Sequence, residues 1–157
     1  MTRFLIILVL FFSLGCAGKY GPNQAAPEKS FEQTVNDYLS ALQQKNLAAI
    51  EDIIATNHPL SFVLPAKFMA KPIFKDRTEI MAGFKTSFAD PNYSITFERV
   101  FTSKSSRMGL ASVIADATFS SSGKNKTSAR LYISFLFVQE KGHWRLIHDQ
   151  NTLLESN

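Results

Sequence analysis

The chain of 157 residues has a single cysteine, Cys16, so no disulfide can form within it, and a stable domain must rest on an apolar core. Its three histidines, His58, His143 and His148, share no short ligand spacing, and there is no second thiol. The usual zinc patterns are therefore missing, and no metal or cofactor is expected. Glycine-rich phosphate loops and the nucleophile elbow are also missing, which argues against two large enzyme classes. The longest apolar stretch, Phe4 to Phe12, falls well short of the ~20 residues a membrane span needs. Excess charge is small, at a formal +4. Lys67, Lys71, Lys75, Arg77, Lys104, Arg107, Lys124 and Lys126 are scattered, as on a solvated surface. With no basic helix and no aromatic–basic signature, nucleic acid is not an expected partner. No internal repeat is present.

The start of the chain carries an address. Arg3 supplies a positive first region, Phe4 to Phe12 an apolar one, and Ser13-Leu14-Gly15 lead to Cys16 in a secretory-signal layout. These residues resemble the bacterial lipobox, with Ser13 where that motif more often has Leu. The resemblance implies a signal peptide over residues 1–15, cleavage before Cys16, a diacylglyceryl thioether on its sulfur and an acylated amine. It also implies a lipid-anchored protein of the bacterial cell envelope. Ala17, where Asp would mark retention, agrees with the outer membrane facing the periplasm in bacteria that use that rule. Loss of Arg3 lowers the mature charge to +3, and a basic face is compatible with anionic headgroups. Ala17 to Pro27 holds two glycines and two prolines without periodicity, so residues 16–29 read as a flexible tether before a domain over residues 30–157.

Ser30 and Gln33 form a capping-box pattern. Phe31, Val35, Tyr38, Leu39 and Leu42 follow at helical spacing to about Lys45. Asn46 is a cap for a second helix carrying Leu47, Ile50, Ile53 and Ile54, stopped at Asn57-His58-Pro59. Leu60 to Leu64 reads as a short strand. Asp76 and Glu79 form a second capping-box pattern before a helix over Thr78 to Phe88. Asp90-Pro91-Asn92 is turn chemistry. Four strand-like segments follow: Tyr93 to Phe101, Leu110 to Phe119, Arg130 to Gln139 and Trp144 to Thr152, with turns at Ser120 to Ser128 and Glu140 to His143. Helices first and antiparallel strands after them make an α+β domain.

The third of those strands places Leu131, Ile133, Phe135 and Phe137 on one face and Tyr132, Leu136 and Val138 on the other. A sheet with one wet face alternates apolar and polar residues, so both faces of this strand are expected to be covered. Helices would cover one. A second subunit would cover the outer one, and a homodimer through that face is expected.

Tyr38-Leu39-Ser40-Ala41-Leu42-Gln43-Gln44-Lys45-Asn46-Leu47-Ala48-Ala49-Ile50 is similar to the opening helices of NTF2-like, or SnoaL-like, proteins. Lys141-Gly142-His143-Trp144-Arg145-Leu146-Ile147-His148-Asp149 resembles the closing hairpin of that family. The similarity spans most of residues 30 to 152. It implies a strongly curved, mostly antiparallel sheet wrapped around about three helices, leaving a conical pocket that relatives use for isomerisation, dehydration, hydrolysis or binding. In the ketosteroid-isomerase branch a tyrosine on the first helix, matched by Tyr38, assists a carboxylate base on the first strand. Here that stretch is Phe62-Val63-Leu64, and the penultimate strand offers only Tyr132 and Ser134. Without its base that mechanism fails.

Asp149 remains. Simple alternation puts Arg145, Ile147, Asp149 and Asn151 on one face of the last strand, and by resemblance that face lines the pocket. A carboxyl in an aromatic cone acquires a raised pKa and acid–base capacity, so Asp149 is a weak catalytic candidate. A structural hydrogen bond, to a loop or to Arg145, is the blander alternative. Many relatives continue Asp with His-Ser-Ser, and Gln150-Asn151-Thr152 lacks that imidazole. The leading expectation is a membrane-tethered module that binds a small, largely apolar ligand. Tyr38, Asp149 and Asn151 are its polar candidates, and Phe84 and Ile147 its apolar walls. Two alternatives stay open: an enzyme using Asp149 with Tyr38, and an assembly lipoprotein whose cone is filled by its own phenylalanines.

Overall fold

The side chain of Ser30 accepts from Gln33 N at 3.1 Å while the Gln33 side chain accepts from Ser30 N at 2.9 Å, so a full capping box opens α1 (Phe31–Gln43). The structure is a computed structural model describing residues 29–68, 71–121 and 125–156. The expected signal peptide, Cys16 and most of the tether lie outside the described residues. Helix α1 buries Phe31, Val35, Tyr38, Leu39 and Leu42, each contributing about 1.5–3 kcal/mol by leaving water. Asn46 then accepts from Ala49 N and starts α2 (Leu47–Ile53). After the short strands β1 (Ser61–Val63) and β2 (Ile73–Phe74), Asp76 accepts from Glu79 N and caps α3 (Arg77–Ala89). Arg77 donates to Glu51 O and Ile54 O, both at 2.7 Å, pinning the end of α2 to the start of α3.

Four long strands follow: β3 (Ser94–Lys104), β4 (Met108–Ser121), β5 (Asn125–Glu140) and β6 (His143–Ser156). They run further than the sequence pattern predicts. The expected polar loop from Ser120 is largely ladder, with Ser120 paired to Lys126 and Thr118 to Ser128. Six strands make one sheet in the order β2-β1-β6-β5-β4-β3, with β1 parallel to β6 and the other pairs antiparallel. The two-residue strand β2 was not anticipated, because so short a segment carries no periodicity.

Three register shifts bend the sheet: in β3 at Arg99, and in β6 at Ile147 and Leu154. The bulge at Ile147 corrects the expected alternation in β6. Phe137 pairs with Leu146 and Leu136 with His148, so Ile147 is the extra residue. The parity flips there. Trp144 and Leu146 are buried on the same side as Asp149, whereas Arg145 points outward and its guanidinium donates to Asp52 O.

The concave side of β5 is fully apolar, with Leu131, Ile133, Phe135 and Phe137 all buried. On its outer side Tyr132 is exposed and Leu136 and Val138 are half-buried. Among the described residues nothing covers that outer side.

At one end of the core Phe31 packs against Phe137 and Trp144, at centroid distances of 5.5 and 5.0 Å. It also lies flush on Gly109, where an added Cβ would meet the ring at 2.4 Å. That ring is fully buried and cannot swing away. Gly109→Ala is therefore expected to lower stability by about 1–3 kcal/mol, the usual cost of overpacking. Gly83, inside α3 with nothing within 4 Å of an added Cβ, is the matched control: Gly83→Ala should add about 0.5–1 kcal/mol. Chemical denaturation of both variants checks the opposite signs.

Candidate functional site

Asp149 lies midway along β6, paired in register with Phe135 of β5 on one side and Phe62 of β1 on the other. The Tyr38 ring from α1 packs edge-on against Phe135 at 5.3 Å, which aims its hydroxyl at β6. That hydroxyl donates to Asp149 Oδ2 at 3.1 Å. On the other carboxyl oxygen Asn151 Nδ2 donates to Oδ1 at 2.6 Å and also reaches Val63 O at 3.3 Å. A helix and the last strand thus meet on one carboxyl group, and Asn151 links it to β1.

Tyr38 is fully buried and Asp149 is 7% exposed. Burial raises the Asp149 pKa to about 7, against the opposing pull of the Tyr38 and Asn151 hydrogen bonds. The same burial, with the Asp149 charge beside it, pushes the Tyr38 hydroxyl well above its ordinary value. Tyr38 is therefore a fixed donor and Asp149 a group that changes charge near neutrality.

A run of aromatic rings leads outward from this pair. Phe62 meets Phe84 edge-on at 6.1 Å, Phe84 meets Phe88 at 5.8 Å, and Phe88 meets Tyr93 at 5.3 Å. Phe84, Phe88 and Tyr93 are half-buried. Burial raises the Tyr93 pKa, and the nearby Asp149 charge adds to that rise. Its hydroxyl makes no hydrogen bond among the described residues, and Lys45 Nζ lies 5.5 Å from its ring centre. The corner carrying Tyr93 is held by Asp90, whose carboxylate accepts from Ser120 N, Ser120 Oγ and Asn92 N. The backbone donor at Ser120 is the main cause of a lowered Asp90 pKa.

Of the residues singled out in the sequence, Tyr38, Asp149 and Asn151 are brought into one hydrogen-bonded set, and Phe84 stands at its rim. Ile147 is half-buried at the bulge. Arg145 takes no part, its guanidinium donating to Asp52 O. Tyr93 was missed as a site residue. It reads from sequence only as the first residue after a turn, and nothing local says that it faces a residue on β6.

A separate cleft of about 470 Å³ lies between α2 and the β5–β6 turn. It is lined by Glu51, Asp52, Arg77, Glu140, Lys141 and Arg145 among others, and it shares no residue with the Asp149 set. Its arginines are already engaged with backbone carbonyls. Among the described residues no group of three or more His, Cys, Asp or Glu is arranged to hold a metal.

A family model described as a SnoaL-like domain matches residues 31–152. The chain belongs to the SnoaL-like domain family. No curated protein matches it significantly. Among solved structures, a protein with a cystatin-like fold from Caulobacter vibrioides aligns with a TM-score of 0.64 at 18% identity, over 79% of this chain and 87% of its own. A candidate dehydratase of the NTF2-like family from Streptomyces avermitilis aligns at 0.64 with 12% identity, over 79% and 94%. A candidate scytalone dehydratase from Novosphingobium aromaticivorans aligns at 0.61 with 11% identity, over 80% and 83%. At these identities the likeness is one of fold: an NTF2-like cone of three helices on a curled, mostly antiparallel sheet.

The pKa of Asp149 has a thermodynamic consequence for the SnoaL-like domain. Between about pH 4, where an exposed carboxyl ionises, and about pH 7, the folded chain holds a proton that the unfolded chain has released. This contribution to stability is fullest below pH 4 and is lost as pH rises through 7. At about 1.4 kcal/mol per pKa unit it is on the order of a few kcal/mol. Asp149→Asn, which mimics the neutral carboxyl, should therefore gain stability relative to wild type between pH 4.5 and 7.5. Urea unfolding at both pH values checks this; a pH-independent difference would mean that Asp149 is ionised throughout.

Proposed function

We propose that this protein is a lipid-anchored envelope protein whose SnoaL-like domain holds a small, largely apolar ligand at the aromatic mouth beside Asp149. The observation that carries this reading is the run of half-buried rings at Phe84, Phe88 and Tyr93, which ends on a buried carboxyl group. Apolar walls with few polar groups are the ordinary make-up of a small-molecule site. The deep end of the cone is filled by the chain itself, through Phe31, Tyr38, Phe135 and Phe137. The ligand is therefore placed at the rim, between α3 and the start of β3. The Tyr93 hydroxyl is the polar group free to address it.

Binding is preferred to catalysis for a geometric reason. An acid–base mechanism of the kind considered for Tyr38 and Asp149 needs both polar tips within reach of one substrate atom. Here the Tyr38 hydroxyl is spent on Asp149 itself, and Asn151 holds the other oxygen. One observation favours the enzymatic alternative: the Asp149 pKa of about 7 suits proton transfer. The candidate dehydratases among the structural neighbours share only the fold.

The membrane anchor is carried by Cys16 and the residues before it. Cys16→Ser should move the protein from the membrane fraction to the soluble one without unfolding it; retention in the membrane fraction contradicts the anchor. For the ligand site, 2-naphthol is a suitable fluorescent probe, with an aromatic body and one hydroxyl. Tyr93→Phe, which removes one hydrogen bond, should weaken its binding up to tenfold, a loss of about 0.5–1.5 kcal/mol. Phe88→Ala should weaken it further. Equal affinity in wild type and both variants would place the ligand elsewhere.

A further inference from the structure

The end of the sheet opposite the aromatic mouth carries an unusual surface. Phe101 is 69% exposed, and Met108 and Leu110 are each 47% exposed, flanking the β3–β4 turn. Ladder register puts all three on the outer face: Phe101 pairs with Ser112, Ser103 with Leu110, and Met108 with Val138. Arg107 lies exposed in the turn beside them, and Lys104, opposite Gly109 in the ladder, is exposed on the helix-side face at the same end of the sheet. Arg107 has no carboxylate partner among the described residues. Lys104 makes only a loose pair with Glu32 at 3.6 Å, with both side chains well exposed, and such pairs contribute little. Apolar side chains near exposed, at most loosely paired cations match the interfacial zone of an anionic bilayer, where rings and thioethers enter the acyl boundary and cations meet headgroups.

The point where the chain leaves the described fold adds an independent reason. The first turn of α1 is fastened to the base of this hairpin, because the buried Phe31 ring lies flush on Gly109. Lys29 is therefore at the hairpin end of the domain. Only thirteen peptide units separate Cys16 from Lys29, a reach of at most about 45 Å. A flexible chain of that length has a root-mean-square span of about 20 Å, shorter than the sheet, so a lipid on Cys16 would on average keep this end nearer the bilayer than the mouth.

We propose that the β3–β4 hairpin is a membrane-docking surface, in which Phe101, Met108 and Leu110 enter the interface of an anionic phospholipid leaflet and Lys104 and Arg107 contact its phosphates. The proposal rests on the lipid-anchor reading. It extends that reading by giving the domain a fixed orientation. Strand β3 runs from the mouth end at Ser94 to the hairpin at Lys104, a span of about 35 Å at the usual rise. Docking by the hairpin therefore turns the aromatic mouth away from the membrane and towards the aqueous phase.

The test uses the lipidated chain in vesicles. Thioether formation at Cys16 leaves no free thiol, so Met108→Cys can carry a single environment-sensitive dye; Leu154→Cys, exposed near the other end of the sheet, carries it as a control. Flotation with vesicles reads the anchor, and dye emission reads the docking. In phosphatidylglycerol–phosphatidylethanolamine vesicles the dye at position 108 should shift to the blue and be quenched by lipid-borne nitroxide, while the dye at position 154 stays aqueous. Lys104→Glu with Arg107→Glu should abolish the shift without preventing flotation. A chain that floats with an aqueous dye at position 108 overturns the docking and leaves the anchor standing. A blue shift that persists in phosphatidylcholine vesicles without quenching, in a chain that cross-links to itself, assigns the surface to a second copy and also overturns it. Failure to float contradicts the anchor instead. The docking is then decided by whether phosphatidylglycerol vesicles titrated into the same chain shift the dye.

Discussion

Two hydrogen bonds, from Tyr38 of α1 and Asn151 of β6, converge on one buried carboxyl, Asn151 ties it to β1 through Val63 O, and the arrangement of the domain follows from that convergence. Tyr38 can reach Asp149 only because α1 lies along the concave face with its ring against Phe135. Asn151 can bridge Asp149 to Val63 only because β1 runs parallel beside β6. A buried polar group left without partners costs more than a hydrogen bond returns, so each contact constrains the others. The bulge at Ile147 belongs to the same constraint. Without its extra residue, Asp149 would point outward whenever Trp144 and Leu146 point in.

The two ends of the sheet are chemically distinct. At the Phe31 end, interlocked rings and the close approach to Gly109 leave no room for a guest. Towards Tyr93 the rings are only half-buried and the polar groups are few. A fold of this kind is compatible with binding and with catalysis alike. What separates those uses in this chain is the state of the polar groups. The hydroxyl best placed for chemistry is already engaged, whereas a second hydroxyl, on Tyr93, has no hydrogen bond among the described residues. An exposed apolar and basic hairpin at the opposite end gives the domain a polarity that fits the proposed lipid anchor, because Lys29 lies at the same end.

Much of the fold was legible because its signals are local. Ser30 with Gln33, Asn46, and Asp76 all start helices where the sequence places them, and the two-sided apolar pattern of residues 131–138 marked the central strand. Strand ends were less legible, because Ser120, Lys126 and Thr127 look like loop residues and are held in the ladder by their neighbours. The face of β6 was misread at Arg145 for a related reason: a bulge is set by the partner strand and leaves no trace in alternation. Asp149, Tyr38 and Asn151 were found through resemblance and spacing. Tyr93 was not, since its nearness to Asp149 comes from the curl of the sheet.

The central claim is that Asp149 is a buried carboxyl that exchanges its proton near neutrality while held by Tyr38 and Asn151. Carbon-13 NMR of the Asp149 carboxyl carbon across a pH series measures this directly. The account predicts a titration midpoint near pH 7 in wild type. A midpoint near 4, the value of an exposed aspartate, would contradict it and leave the aromatic mouth without its titrating group.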